Sequence, residues 1–124
     1  MNLLSQLAQF FTGKEAGSAI NGYQRITAHE ARNLLSADAR AKIVDVRTEW
    51  EYRGQHIAGS ILVPLTAITQ KAPVLLPNKQ EAIIVHCQSG HRSRHAARQL
   101  LGMGYTQVYD LGGITSWPYG TVSG

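Results

Sequence analysis

Apolar positions along this chain fall into two rhythms, and together they predict alternating strands and helices. The most continuous apolar run, Ala82-Ile83-Ile84-Val85 within Glu81–His86, predicts a strand buried on both faces of a sheet. Lys42–Val46 is a β-branched stretch and predicts a second strand. Ile61–Val63, stopped by Pro64, predicts a third, Gln107–Leu111 a last one, and Tyr23–Ile26 a short first one. Helical spacing appears between them. Arg92–Leu101 would turn Ala96, Ala97, Leu100 and Leu101 inward, with Gly104 as its C-terminal cap. Thr27 and Glu30 form a capping-box pattern that opens a helix to about Leu35. Thr48 and Glu51 repeat the pattern before a short helix that Gly54 would end. Thr66–Lys71 predicts a further short helix, Pro73 and Pro77 bracket a connection, and Gly112-Gly113 opens a turn into a last short helix near Trp117. The alternation predicts an α/β fold with a mostly parallel sheet.

The first residues are different. Leu3, Leu4, Leu7, Phe10 and Phe11 lie on one face of a predicted amphipathic helix, and Thr12–Gly22 reads as a linker rich in Gly, Ser and Ala. The chain is therefore divided into residues 1–22, helix and linker, and a domain over 23–120. The apolar face would pack on its own domain, on a second copy, or on a partner; its polar face lacks the basic residues that an anionic membrane surface favours. No Lys or Arg precedes the helix, as a signal peptide would require, and no apolar run approaches the roughly 18 residues of a transmembrane helix.

Composition narrows the class. With 44% hydrophobic and 16% charged residues in 124, a core can be buried. A single cysteine excludes an intramolecular disulfide and any Cys–Cys metal pair. His91 and His95 stand four apart, but no carboxylate near them in sequence completes a metal site, so neither metal nor cofactor is expected. Together with the missing signal features this predicts a cytoplasmic protein. The formal charge is +4, and between His86 and Arg98 there are three arginines, three histidines and no carboxylate. That stretch is either a solvated helix face or a field for small anions. No aromatics interleave with the arginines, so nucleic acid is not an expected partner.

The lone cysteine carries the chemistry. Cys87 follows the most apolar strand and precedes the helix beginning at Arg92, in His86-Cys87-Gln88-Ser89-Gly90-His91-Arg92-Ser93. A helix N-terminus presents backbone N–H groups and favours negative charge, hence the nucleophilic thiolate. Strand ends in such sheets are also where ligands bind. The alternative, a buried structural cysteine, fits poorly with polar neighbours on its C-terminal side.

Three ordered stretches give the chain a family likeness. The first is Ile43-Val44-Asp45-Val46-Arg47 through Glu51-Tyr52 and His56-Ile57-Ala58-Gly59-Ser60 to Val63-Pro64. The second is Ile84 to Ser93, and the third Gly102-Met103-Gly104-Tyr105, Val108, Leu111-Gly112-Gly113-Ile114 and Trp117. In that order, over about residues 25–119, the chain resembles the rhodanese-like sulfurtransferases. It departs in having Gly54 two places before His56 rather than next to it, and Ala58 where proline is common; both lie away from the loop. The resemblance implies a mostly parallel sheet with helices on both faces. It implies that Cys87 carries a sulfane sulfur as a persulfide, moved from a small anionic donor such as thiosulfate to cyanide or a thiol. Gln88, Ser89, Gly90, His91, Arg92 and Ser93 would form the binding loop. Gly90 lets the backbone curl so that amides face inward, and the Ser89 and Ser93 hydroxyls would add donors. Arg92 has two readings, meeting the donor directly or turning outward onto loop carbonyls. Asp45, Arg47 and Glu51 read as an ion-pair and capping network beneath the site, His86 as a residue behind it, and Trp117 as core.

Two other functions compete. Phosphatases and arsenate reductases of the related fold use a Cys-x5-Arg loop, whereas Cys87 to Arg92 is Cys-x4-Arg, one residue shorter. The shorter loop suits a sulfur atom better than a tetrahedral oxyanion. The other is a persulfide carrier that docks on a protein partner, for which the apolar face of the N-terminal helix would be a fitting docking element; the sequence does not separate it from a free enzyme.

Overall fold

The computed structural model describes residues 22–124; the predicted N-terminal helix lies outside them. Five strands form one sheet: β1 (Tyr23–Arg25), β2 (Lys42–Asp45), β3 (Ile61–Leu62), β4 (Ala82–Cys87) and β5 (Gln107–Gly113). All four pairings are parallel, in the order β1-β5-β4-β2-β3. The helices are α1 (Ala28–Ala37), α2 (Glu49–Gly54), α3 (Ile68–Leu75) and α4 (His91–Gly102), with 3-10 turns at Leu65–Ala67 and Ile114–Ser116.

Every residue of β4 is buried, as a strand with a neighbour on each side and helices above and below must be. Its alternation divides the core in two. Ile83, Val85 and Cys87 pack with Ile68 and Ala72 of α3 and with Ala96, Ala97 and Leu100 of α4. Ala82 and Ile84 face the other way, against Ala31 and Leu34 of α1, with Ile43, Tyr109 and Leu111. Both predicted capping boxes are present: Thr27 with Glu30, at 3.1 and 2.8 Å, and Thr48 with Glu51, at 3.2 and 3.0 Å.

Four details differ from the sequence-based expectation. Leu101 is only half-buried, and Ser93 takes the inward place one turn earlier than Ala96 and Ala97. The third helix continues through Pro73 to Leu75 rather than stopping at Lys71; Pro73 fixes a helical φ and gives up only one N–H. Gly112 and Gly113 end β5 instead of opening the turn after it. Trp117 is half-buried at the edge of the α1-side cluster, not in its centre. Beyond residue 120 the chain returns to the sheet's rim, where Val122 and His56 exchange backbone hydrogen bonds of 2.8 Å.

Leu34 is 1% exposed and Val74 is 76% exposed. Leu34→Ala should therefore lower the unfolding free energy by about 2–5 kcal/mol. Val74→Ser should leave it within about 0.5 kcal/mol. Urea melts of the two variants measure both values.

Candidate active site

Parallel register brings three strand ends to one place. Asp45 of β2 lies opposite His86 of β4, and Gly113 of β5 lies opposite Cys87. The chain thus leaves β2 at Val46-Arg47 beside the point where it leaves β4 at Gln88. Val46 is tied there by its N–H to the His86 carbonyl, at 3.0 Å.

Cys87 is the last residue of β4 and His91 the first of α4. Gly90, the N-cap, adopts φ 108°, a left-handed conformation that glycine enters without strain. The turn aims the Gly90 N–H at the thiol, and it donates to Cys87 Sγ at 2.9 Å. Cys87 is 1% exposed, which corrects the expectation drawn from its polar neighbours. The side chain comes two residues after Val85 and so shares the face that α4 covers. Gln88, Ser89 and His91 are the exposed rim above it.

The loop rests on bare backbone. A Cβ on Gly113 would stand 2.5 Å from the Gln88 carbonyl oxygen and 3.0 Å from Ser89 Cα, so only glycine leaves the loop where it is. Sequence reading missed this role. The available signal was a Gly-Gly pair ending the strand adjacent to the cysteine's own. Between Val85 and His86 the β4–β5 register shifts by one residue, with Leu111 as the extra one. Gly112 takes φ +87° at that bulge, and its N–H donates to Asp110 Oδ1 at 2.9 Å.

Two ion pairs flank the loop. Asp45 and Arg47 are both buried. Arg47 Nη2 donates to Asp45 Oδ2 at 2.8 Å and Nε to Oδ1 at 3.0 Å. Arg47 also reaches the Gln55 carbonyl at 2.6 Å and, through Nη1, the Gln88 side-chain oxygen at 3.1 Å. The second pair is Arg92 with Glu51, bidentate at 2.7 and 2.9 Å. The three residues read together in sequence, Asp45, Arg47 and Glu51, are therefore parts of two separate pairs. Arg92 follows neither sequence reading: it turns away onto the Glu51 carboxylate of α2. Ser93 differs as well, because its hydroxyl donates to the Gly90 carbonyl at 3.1 Å and braces the loop from below.

The Arg92 guanidinium holds the Glu51 carboxyl at about 2, outweighing the opposing effect of burial, and the Thr48 N–H and hydroxyl add to the depression. Glu51 in turn raises Arg92. His86 lies inside β4 rather than after it. Burial pushes its imidazole below the ordinary value despite the nearby Asp45 carboxylate. Its Nε2 has no hydrogen-bond partner and lies 3.7 Å from Asp45 Oδ2.

This arrangement places a single thiol beneath the inward-facing Gly90 amide at a helix N-terminus. A rhodanese-like domain model matches residues 27–118, and the chain belongs to that family. It is 34% identical over 71 residues to the thiosulfate sulfurtransferase PspE of Escherichia coli (strain K12), covering 57% of this chain and 68% of that one. It is 28% identical over 106 residues to the putative sulfur carrier protein YrkF of Bacillus subtilis (strain 168), covering 85% of this chain but only 56% of that protein. Among solved structures, a rhodanese with anions from E. coli superposes with a TM-score of 0.65 at 31% identity, over 68% of this chain and 99% of that one. No helix among the described residues is long and apolar enough to cross a membrane.

Two outcomes follow from the geometry. Because the Glu51 carboxyl is depressed in the folded protein, its stabilisation is complete above the ordinary value of 4.5 and is lost as the pH falls from there towards about 2. Urea melts of wild type and Glu51→Gln should differ at pH 6, draw together below about pH 4.5 and converge by about pH 2; a difference independent of pH would contradict the pairing. Gly113→Ala should displace Gln88 and Ser89 and destabilise the fold by about 1–3 kcal/mol, the usual cost of overpacking. Unchanged stability together with unchanged alkylation of Cys87 by iodoacetamide would show that the loop tolerates the extra carbon.

Proposed function

We propose that this chain is a sulfurtransferase that carries a sulfane sulfur as a persulfide on Cys87. The observation that carries the reading is the Gly90 N–H donating to Cys87 Sγ at 2.9 Å, at the start of α4. Such a bond favours a charged sulfur, and the helix N-terminus adds to it. In the proposed step the Cys87 thiolate attacks the outer sulfur of the donor. With thiosulfate, a new S–S bond forms at Cys87, the old one breaks, and sulfite leaves with the bonding pair. Cyanide or a thiol then attacks the terminal sulfur, and the Cys87 thiolate is the leaving group. No general acid is needed, because both leaving groups are stable anions.

The residues divide the work. Gly90 turns its amide inward, Gln88, Ser89 and His91 form the rim, and Ser93 holds the Gly90 carbonyl. Arg47 fixes the Gln88 side chain while Asp45 fixes Arg47. Arg92, engaged by Glu51, is proposed as a support of the loop rather than a ligand of the donor. The six-residue loop is one residue shorter than an oxyanion-binding Cys-x5-Arg loop, which disfavours phosphatase or arsenate reductase chemistry. Acting as a carrier for a protein partner is the second reading. It draws on the likeness to a putative sulfur carrier and on the burial of Cys87, which would shelter a persulfide between donor and acceptor. A cytoplasmic setting is proposed with it.

Incubation with thiosulfate should add the mass of one sulfur atom to the protein, and cyanide should remove it. Cys87→Ala should take up none while remaining folded. An unmodified wild-type protein, or equal uptake by the variant, would overturn the persulfide mechanism.

A further inference from the structure

Of the arginines around the loop, the two that its sequence singles out are already paired. Arg47 is held by Asp45, and Arg92 by Glu51. A third reaches the same place from a different strand. Arg25 ends β1, at the edge of the sheet, opposite Asp110 of β5. Its guanidinium lies on the backbone of Gly112. A Cβ built there would stand 2.9 Å from Arg25 Nη2 and 3.2 Å from its Cζ. Glycine at 112 thus leaves room for this side chain as well as meeting the bulge. Gly112 in turn lies under the loop, its Cα 3.9 Å from where a Cβ on Gly90 would be.

Arg25 is exposed and makes no ion pair among the described residues. Asp110 is the carboxylate nearest in register, but its oxygens are engaged elsewhere. Oδ2 accepts the Tyr23 hydroxyl at 2.6 Å, and Oδ1 accepts the Gly112 N–H. Among the described residues no hydrogen bond or ion pair holds the Arg25 guanidinium, which lies against the glycine that sits under Gly90. Guanidinium is well suited to the oxygens of a sulfonate-like group, which it can meet with two parallel N–H bonds.

We propose that Arg25, seated on Gly112 beside the loop, receives the oxyanion end of a donor such as thiosulfate and so sets the preference of the site for donors that carry an oxyanion group. This rests on the sulfur-transfer reading of Cys87. It assigns to β1, outside the cysteine loop, the role that the sequence offered to Arg92.

The test compares two donors on the full chain: thiosulfate, and the persulfide of an uncharged alkyl thiol, which has no oxyanion for Arg25 to hold. Arg25→Gln should raise the KM for thiosulfate about tenfold, the loss of one charge-assisted contact, with kcat within twofold. It should leave kcat/KM for the alkyl persulfide within twofold. Arg25→Lys should restore part of the loss. Arg98→Gln, an exposed position further along α4 with the same change of net charge, should move the thiosulfate KM less than twofold. Equal effects of Arg25→Gln and Arg98→Gln, or equal losses with both donors, would overturn the assignment. If neither donor leaves a sulfur on wild-type Cys87, the sulfur-transfer reading fails and this assignment fails with it.

Discussion

Three residues separate Cys87, the end of β4, from His91, the start of α4. The chain must reverse direction in that space without losing its hold on either element. Gly90 makes this possible through its left-handed backbone, and the same conformation points its amide back at the sulfur. The neighbouring strand has to give way too. Gly113, opposite Cys87 in the β4–β5 register, offers no side chain where the Gln88 carbonyl passes. A tight connection on the central strand thus makes an amide aimed at the thiol a consequence of chain geometry. The loop rests directly on the sheet's backbone beneath it.

Charge around this loop is arranged in pairs of different kinds. Asp45–Arg47 is buried, and a buried pair stabilises only when its remaining donors and acceptors are satisfied. Here the guanidinium is occupied on every side, by Asp45, the Gln55 carbonyl and the Gln88 side chain. Its consequence is positional, since it links the exits of β2 and β4. Glu51–Arg92 is partly exposed and therefore weaker in water. It joins α2 to the first turn of α4, and Glu51 is at the same time the partner of the N-cap Thr48 in the α2 capping box. Neither pair leaves its guanidinium free, whereas Arg25 at the edge of the sheet makes no ion pair among the described residues.

Much of the architecture was legible in the chain. The apolar run before Cys87, the two Thr-x-x-Glu boxes and the alternation of periods located every strand and the main helices within a few residues. The cysteine loop and the family likeness were legible for the same reason, because their residues are contiguous or ordered. What could not be read depends on contacts between distant segments. The run from His86 to Arg98 counts three arginines without a carboxylate, yet Arg92 finds its partner 41 residues away, on α2. Polar neighbours suggested an accessible thiol, but the side chain obeys the alternation of β4 and goes under α4. Gly112 and Gly113 read as a turn because a missing Cβ looks the same in a bend as beneath another segment's carbonyl.

The most direct measurement is a crystal structure of the protein after treatment with thiosulfate. The account predicts a second sulfur on Cys87, curled beneath the loop, with the Gly90 N–H and at least one further loop amide within hydrogen-bonding distance. A second sulfur turned towards the hydrocarbon of Val85 and Ala96, with those amides facing away, would contradict it.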